Sequence, residues 1–117
     1  MEAKVDALKA KIVDDIAACE SKNVQEPDAT ILLDSNSQMS IGAWQWQIKS
    51  MQHYVSKFEN REINRVEAIQ IAIDHDKAKA LASKVLFQEQ DGWRNWYNCG
   101  TKLDVGAKID LINQLTS

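Results

Sequence analysis

Glycine and proline are scarce in this chain, with four and one respectively in 117 residues. The glycines stand apart from one another, so there is no Gly-rich loop to cradle a phosphate. No serine sits in a Gly-x-Ser-x-Gly turn, which leaves a Ser/His/Asp hydrolase without its nucleophile elbow. Histidine is limited to His53 and His75. They are far apart and lack a Cys/His/Asp cluster at ligand spacing around both, so no metal centre is expected. Long apolar runs are missing too; none approaches the roughly 20 residues that span a bilayer. Residues 1–10 read as a charged helix, and no signal peptide is expected in this chain. Nor is there an excess of basic charge. Fourteen lysines and arginines face 17 aspartates and glutamates, giving a formal net charge of −3. The basic residues are dispersed, which excludes the clustered footprint of a nucleic-acid binder. An anionic polymer would have to be held by a shaped, locally polar cleft and not by net charge.

Cysteine is limited to Cys19 and Cys99. Their separation excludes a zinc knuckle or a Cys-x-x-Cys redox pair. Two readings stay open. One is a disulfide closing a long loop, which belongs to an oxidising compartment and contributes about 4 kcal/mol in the chain-entropy account. The other is a pair of buried free thiols.

Helical pattern is what the chain has in abundance. At 44% hydrophobic and 26% charged residues, residues 1–117 suit a single domain with one core. Val5, Leu8, Ile12, Ile16 and Cys19 recur at three- and four-residue spacing, which predicts a helix over residues 3–20 with Glu20 in its last turn. Residues 21–40 are polar, contain Pro27 and read as a loop. Within them, residues 30–33 form a short apolar insert, either a strand fragment or a loop anchor. Helical spacing resumes at about Ala43 through Trp44, Ile48, Met51, Tyr54, Val55 and Phe58. Asn64 followed by Glu67 has the form of a capping box and opens a helix over residues 65–73. Asp74 is the next N-cap candidate, ahead of a helix over residues 76–90. Asp91-Gly92 is a turn signal. Gly100 reads as a helix-ending glycine, and a last amphipathic helix covers residues 103–115. The expected fold class is all-α with at most a minimal β-like loop.

Cleaving a glycosidic bond requires a proton donor whose charged form is disfavoured, as burial against apolar groups achieves. Glu20 follows Ile16, Ala17 and Cys19 on a helix whose face is buried, so it suits that role. By itself it is one of 17 acidic residues, and a glutamate near a helix end is most often a solvated charge. Downstream lies Ser40-Ile41-Gly42-Ala43-Trp44-Gln45. This segment resembles the Gly-Leu-Met-Gln signature of the lytic transglycosylases and goose-type lysozymes, and Glu20-Ser21 resembles the Glu-Ser pair of the same family. Ala43 and Trp44 depart from the signature, standing where it has Leu and Met. Residues 64–68, residues 80–87 and Gly92-Trp93-Arg94-Asn95-Trp96 are similar to the C-terminal half of small lysozyme-like proteins. The resemblance thus spans about residues 16–99.

That resemblance implies a lysozyme-like helical domain, a bacteriolytic glycosidase or lytic transglycosylase without metal or organic cofactor. Its substrate would be the β-1,4 bond between N-acetylmuramic acid and N-acetylglucosamine, with Glu20 as proton donor. Gly42 and Gln45 are the implied sugar-positioning residues; Ser40 and Trp46 join them as candidates, and Tyr54 is either a polar handle near Glu20 or a buried tyrosine. Glycine lets the backbone approach a ligand closely. Glutamine offers an amide to an N-acetyl group or to the catalytic carboxyl. Glycosidases normally use two carboxylates. Lytic transglycosylases resemble an exception, in which one Glu is acid and then base while the muramic 6-hydroxyl closes an anhydro ring. Asp34 is the candidate second carboxylate and Asp28 the other loop candidate, although Asp34-Ser35-Asn36-Ser37 also suits a plain polar turn.

Tryptophan at helical spacing is more often core than sugar platform. Trp44 and Trp46, two positions apart, cannot share a helix face, so one should meet the cleft or solvent. Trp93 and Trp96, three apart, should close the core. The expected partner is a peptidoglycan glycan strand, bound by a monomer. The expected setting is the cell wall, the periplasm, the extracellular space or a phage particle. Two alternatives come from other classes: a non-catalytic glycan- or protein-binding module on the same fold, and a relative acting on chitin.

Overall fold

The computed structural model of the chain describes residues 2–22, 25–33 and 38–116, and only the backbone of Glu2 and Leu33. The described residues form an all-α architecture with a minimal sheet. Its elements in order are α1 (Glu2–Glu20), a 3-10 turn (Pro27–Ala29), β1 (Ile31–Leu33), β2 (Met39–Ile41) and β3 (Trp46–Gln47). They are followed by α2 (Ile48–Glu59), α3 (Arg65–Ile73), α4 (His75–Gln88), a second 3-10 turn (Gly92–Trp96), α5 (Tyr97–Lys102) and α6 (Val105–Thr116). One contiguous apolar cluster draws on α1, α2, α3, α4 and α6 and on the sheet.

Helix α1 packs on α4, α5 and α6, and it buries Val5, Ile12, Val13, Ile16 and Ala17 while Leu8 stays 44% exposed. The expected stripe through Leu8 is therefore shifted by about one position, to the side on which the three partner helices lie. The predicted N-caps form, while the reciprocal half of the capping box does not, since the Glu67 carboxylate turns to Arg61. Asn64 Oδ1 accepts from the Glu67 amide at 2.8 Å, and Asp74 Oδ1 accepts from the Lys77 amide at 3.1 Å. Each satisfies a backbone N–H that a helix start would otherwise leave unpaired. The Glu67 carboxylate hydrogen-bonds Arg61, which also binds Glu59. The hydrogen bond from Glu67, then that from Glu59, raises the already high pKa of this guanidinium.

Three expectations need correction. The helix expected from Ala43 begins at Ile48. Residues 42–45 form a turn closed by the Gln45 amide on the Gly42 carbonyl at 3.1 Å. Positive φ at Gly42 (81°) and at Gln45 (52°) reverses the chain, so Trp46 pairs with Ile41 across an antiparallel ladder. Trp44 and Trp46 consequently share no helix, and both are buried, at 0% and 2% exposure. Gly100 lies inside α5 and not at its end. A Cβ there would stand 2.6 Å from Cε3 of Trp93, so the glycine makes room for an indole. Leu115, expected on the inner side of the last helix with Val105, Ile109 and Ile112, is 44% exposed while those three are buried.

The open question about cysteine resolves as a disulfide. Cys19 and Cys99, 80 positions apart in sequence, are bonded, with Cα atoms 5.9 Å apart. The bridge ties the last turn of α1 to α5.

Candidate active site

Glu20 is held in place by the way α1 ends. The Ser21 amide continues the helix onto the Ala17 carbonyl at 2.9 Å, and the Ser21 hydroxyl donates to the same oxygen at 2.7 Å. Lys22 then turns left-handed, with φ 55°, and its amide caps the Cys19 carbonyl at 3.3 Å, as helix C-termini commonly do. Ser21 is buried, at 4% exposure, and a hydroxyl bonded back to its own helix satisfies that burial. The disulfide at Cys19 and the Trp44 indole, which donates to the Val13 carbonyl at 2.9 Å, fix the same stretch from two further sides. Glu20 itself is half-buried.

The sheet supplies a second wall. In the antiparallel register Leu32 lies opposite Ser40, and Ser40 lies opposite Gln47. Residues directly opposite in a pleated sheet point to the same face, so Leu32, Ser40 and Gln47 form one row. All three line a cleft of about 450 Å³ that also receives Glu20, Lys22, Gln45, Trp46, Ser50, Asn95 and Trp96. That volume lies within the roughly 300–1,000 Å³ of small-ligand sites. Glu20 is the one carboxylate among the described residues of this wall.

Of the residues singled out in the sequence, Glu20, Ser40, Gln45 and Trp46 thus meet in one cleft. Gln45 folds back so that its Nε2 donates to the Gly42 carbonyl at 2.9 Å. Its left-handed backbone, and not a helix, presents it. Trp46 stands edge to face with Trp96, centroids 5.0 Å apart, and its Nε1 is buried without a hydrogen-bond partner among the described residues. Gly42 and Tyr54 do not form part of the wall. Gly42 is buried, and a Cβ on it would lie 2.1 Å from the Ala72 carbonyl oxygen. Its lack of a side chain therefore serves the approach of α3. Tyr54 stands behind the wall, edge to face with Trp46 at 6.2 Å, and its hydroxyl accepts from Asn95 Nδ2 at 2.9 Å. Asp34 lies outside the described residues. Asp28 is engaged by His75 Nδ1 at 3.0 Å and is absent from the cleft wall.

Sequence reasoning missed Lys22, Leu32, Gln47, Ser50 and Asn95 as wall residues and favoured the core for Trp96. Trp96 does both: it is 3% exposed, its indole donates to the Trp44 carbonyl at 2.8 Å, and it also borders the cleft. The apolar insert at residues 30–33 was a signal for Leu32. Gln47 follows from Ser40 only once the register is known.

Among the described residues no group of three or more His, Cys, Asp or Glu is arranged to hold a metal ion. No helix among them is long and apolar enough to cross a membrane. Compared with known proteins, the chain matches no family model, no curated protein and no solved structure.

Proposed function

We propose that this chain is a peptidoglycan-cleaving enzyme, a glycosidase or lytic transglycosylase with Glu20 as its single general acid and base. The observation that carries the reading is convergence. Glu20 and the Ser40, Gln45 and Trp46 side chains, separated by a twenty-residue stretch of sequence, border one cleft. Glu20 borders that cleft half-buried, with Lys22 on the same wall. In the proposed reaction Glu20 protonates the glycosidic oxygen as the bond to the muramic C1 breaks. The resulting carboxylate then accepts the proton of the attacking oxygen. If that oxygen is the muramic 6-hydroxyl, the product is a 1,6-anhydro sugar; if it is water, the product is a reducing end.

The rest of the wall suits a sugar. Ser40, Gln45, Gln47, Ser50 and Asn95 supply neutral polar groups, and Trp46 and Trp96, at 2% and 3% exposure, back the cleft as rigid apolar bulk. Disulfide chemistry fits a wall, periplasmic or extracellular setting. The lysozyme-like fold assignment rests on the residues that resemble that family.

Glu20→Gln keeps the shape of the side chain and removes its acid. It is expected to fold normally and to lose about 100- to 10,000-fold of the rate at which cell-wall suspensions clear. An unchanged clearing rate would eliminate the mechanism. The second reading is a module that binds glycan without cutting it, and the same polar wall would serve it. Wild-type protein that binds a muropeptide and leaves its mass unaltered would establish that alternative. Mass spectra of products from peptidoglycan and from chitin separate the two polymers, and the anhydro product is lighter by one water.

A further inference from the structure

We propose that Asn95 is a ligand-binding residue of this cleft, its Oδ1 accepting a hydrogen bond from an N–H or O–H of a bound amino sugar, and that Tyr54 is its positioning residue. The inference rests on the reading of the cleft as a glycan site.

Asn95 borders the cleft from the 3-10 turn Gly92–Trp96. Its Nδ2 lies 2.8 Å from the Gly92 carbonyl oxygen and 2.9 Å from the Tyr54 hydroxyl. A carbonyl oxygen has no proton to give, so the Gly92 contact demands the nitrogen of the Asn95 amide on that side. The amide orientation is fixed by this argument, which removes the usual ambiguity between its oxygen and nitrogen. Both Nδ2 hydrogens are then used internally, one on Gly92 and one on Tyr54. The opposite pole of the amide, Oδ1, has no hydrogen-bond partner among the described residues. Asn95 is an exposed residue of the cleft wall, so the amide atom it has left for a ligand is an acceptor and not a donor.

Tyr54 is held in turn. Its ring stacks on Phe58, with centroids 6.2 Å apart, and meets Trp46 edge to face at 6.2 Å. The hydroxyl that receives Asn95 is thus anchored through the ring, which gives Tyr54 a part in recognition although it does not border the cleft. An acceptor at a fixed place suits a sugar that carries an acetamido N–H beside its hydroxyls.

The test is a double-mutant cycle on binding, read by calorimetry in a Glu20→Gln background that prevents turnover. The probe is a soluble tetrasaccharide of alternating N-acetylglucosamine and N-acetylmuramic acid. Asn95→Ala is expected to weaken Kd about 5- to 10-fold, the cost of one hydrogen bond to ligand. Tyr54→Phe is expected to weaken it about 3-fold when Asn95 is present and not at all when Asn95 is alanine, since coupled residues are non-additive. Equal losses from Tyr54→Phe in both backgrounds, or an unchanged Kd for Asn95→Ala, overturn the assignment while leaving the glycan site intact. A parent protein that binds no tetrasaccharide overturns the glycan site, and the role of Asn95 with it.

Discussion

Gly42 illustrates how one residue type serves a purpose that sequence inspection assigns elsewhere. In the motif it looks like a place for a sugar to come close. In the fold its φ of 81° and the Ala72 carbonyl oxygen, 2.1 Å from where a Cβ would stand, account for it. Its amide also donates to the Thr30 carbonyl at 2.7 Å, and its carbonyl receives Gln45 twice. Gly42→Ala combines a strained backbone with a clash against backbone that has no flexible end to yield. Left-handed strain costs about 1–2 kcal/mol and overpacking about 1–3 kcal/mol. The variant should therefore lose about 3 kcal/mol in urea denaturation, and the cleft wall carried by Gln45 and Trp46 should shift with it. A variant of wild-type stability would show that α3 retreats without cost. Trp44 is the opposite case, a large residue with a single inward solution. Its indole donates to Val13 and its carbonyl accepts from Trp96. It thereby links α1, the 42–45 turn and the Gly92–Trp96 turn through two buried hydrogen bonds.

Among the elements, the caps were legible, and of the sheet only the strand fragment within residues 30–33 was. Asn64 and Asp74 hold the starts of α3 and α4 as their side chains dictate, because a cap is a contact between near neighbours. Asn64→Ala should cost about 1 kcal/mol. A lower denaturation midpoint at unchanged slope would be the signature, and cell-wall clearing should be unaffected, since Asn64 is not in the cleft. The strands are two or three residues long, too short to show an alternating pattern. Helical spacing therefore prevailed across residues 43–47, and the expected helix began five residues early. What ended it was a pair of left-handed residues, Gly42 and Gln45. A glycine advertises that option and a glutamine does not.

At the scale of the whole molecule, the Cys19–Cys99 bridge joins the turn that carries Glu20 to α5 across most of the chain. Removing it with Cys19→Ala/Cys99→Ala should cost about 2–4 kcal/mol, a fall in Tm of about 10 °C or more for a domain of this size. Reductant should bring the wild-type melting curve down to that of the double variant and leave the variant's own curve in place. A wild-type curve insensitive to reductant in the unfolding range would contradict the bridge. Because Cys19 precedes Glu20, the proposed clearing activity should fall further than stability alone requires at temperatures where both forms are folded.

The sequence by itself determined the helical character, the helix starts at Asn64 and Asp74, and the candidacy of Glu20 with Ser40, Gln45 and Trp46. These depend on periodicity, capping and motif, which act over a few residues. Only the tertiary structure decided between a disulfide and free thiols, moved Gly42 and Tyr54 out of the wall, and brought Leu32, Gln47, Ser50 and Asn95 into it. The physical reason is distance along the chain. Strand register, the fit of a glycine against another helix and the amide orientation of Asn95 are each set by partners that no local pattern names.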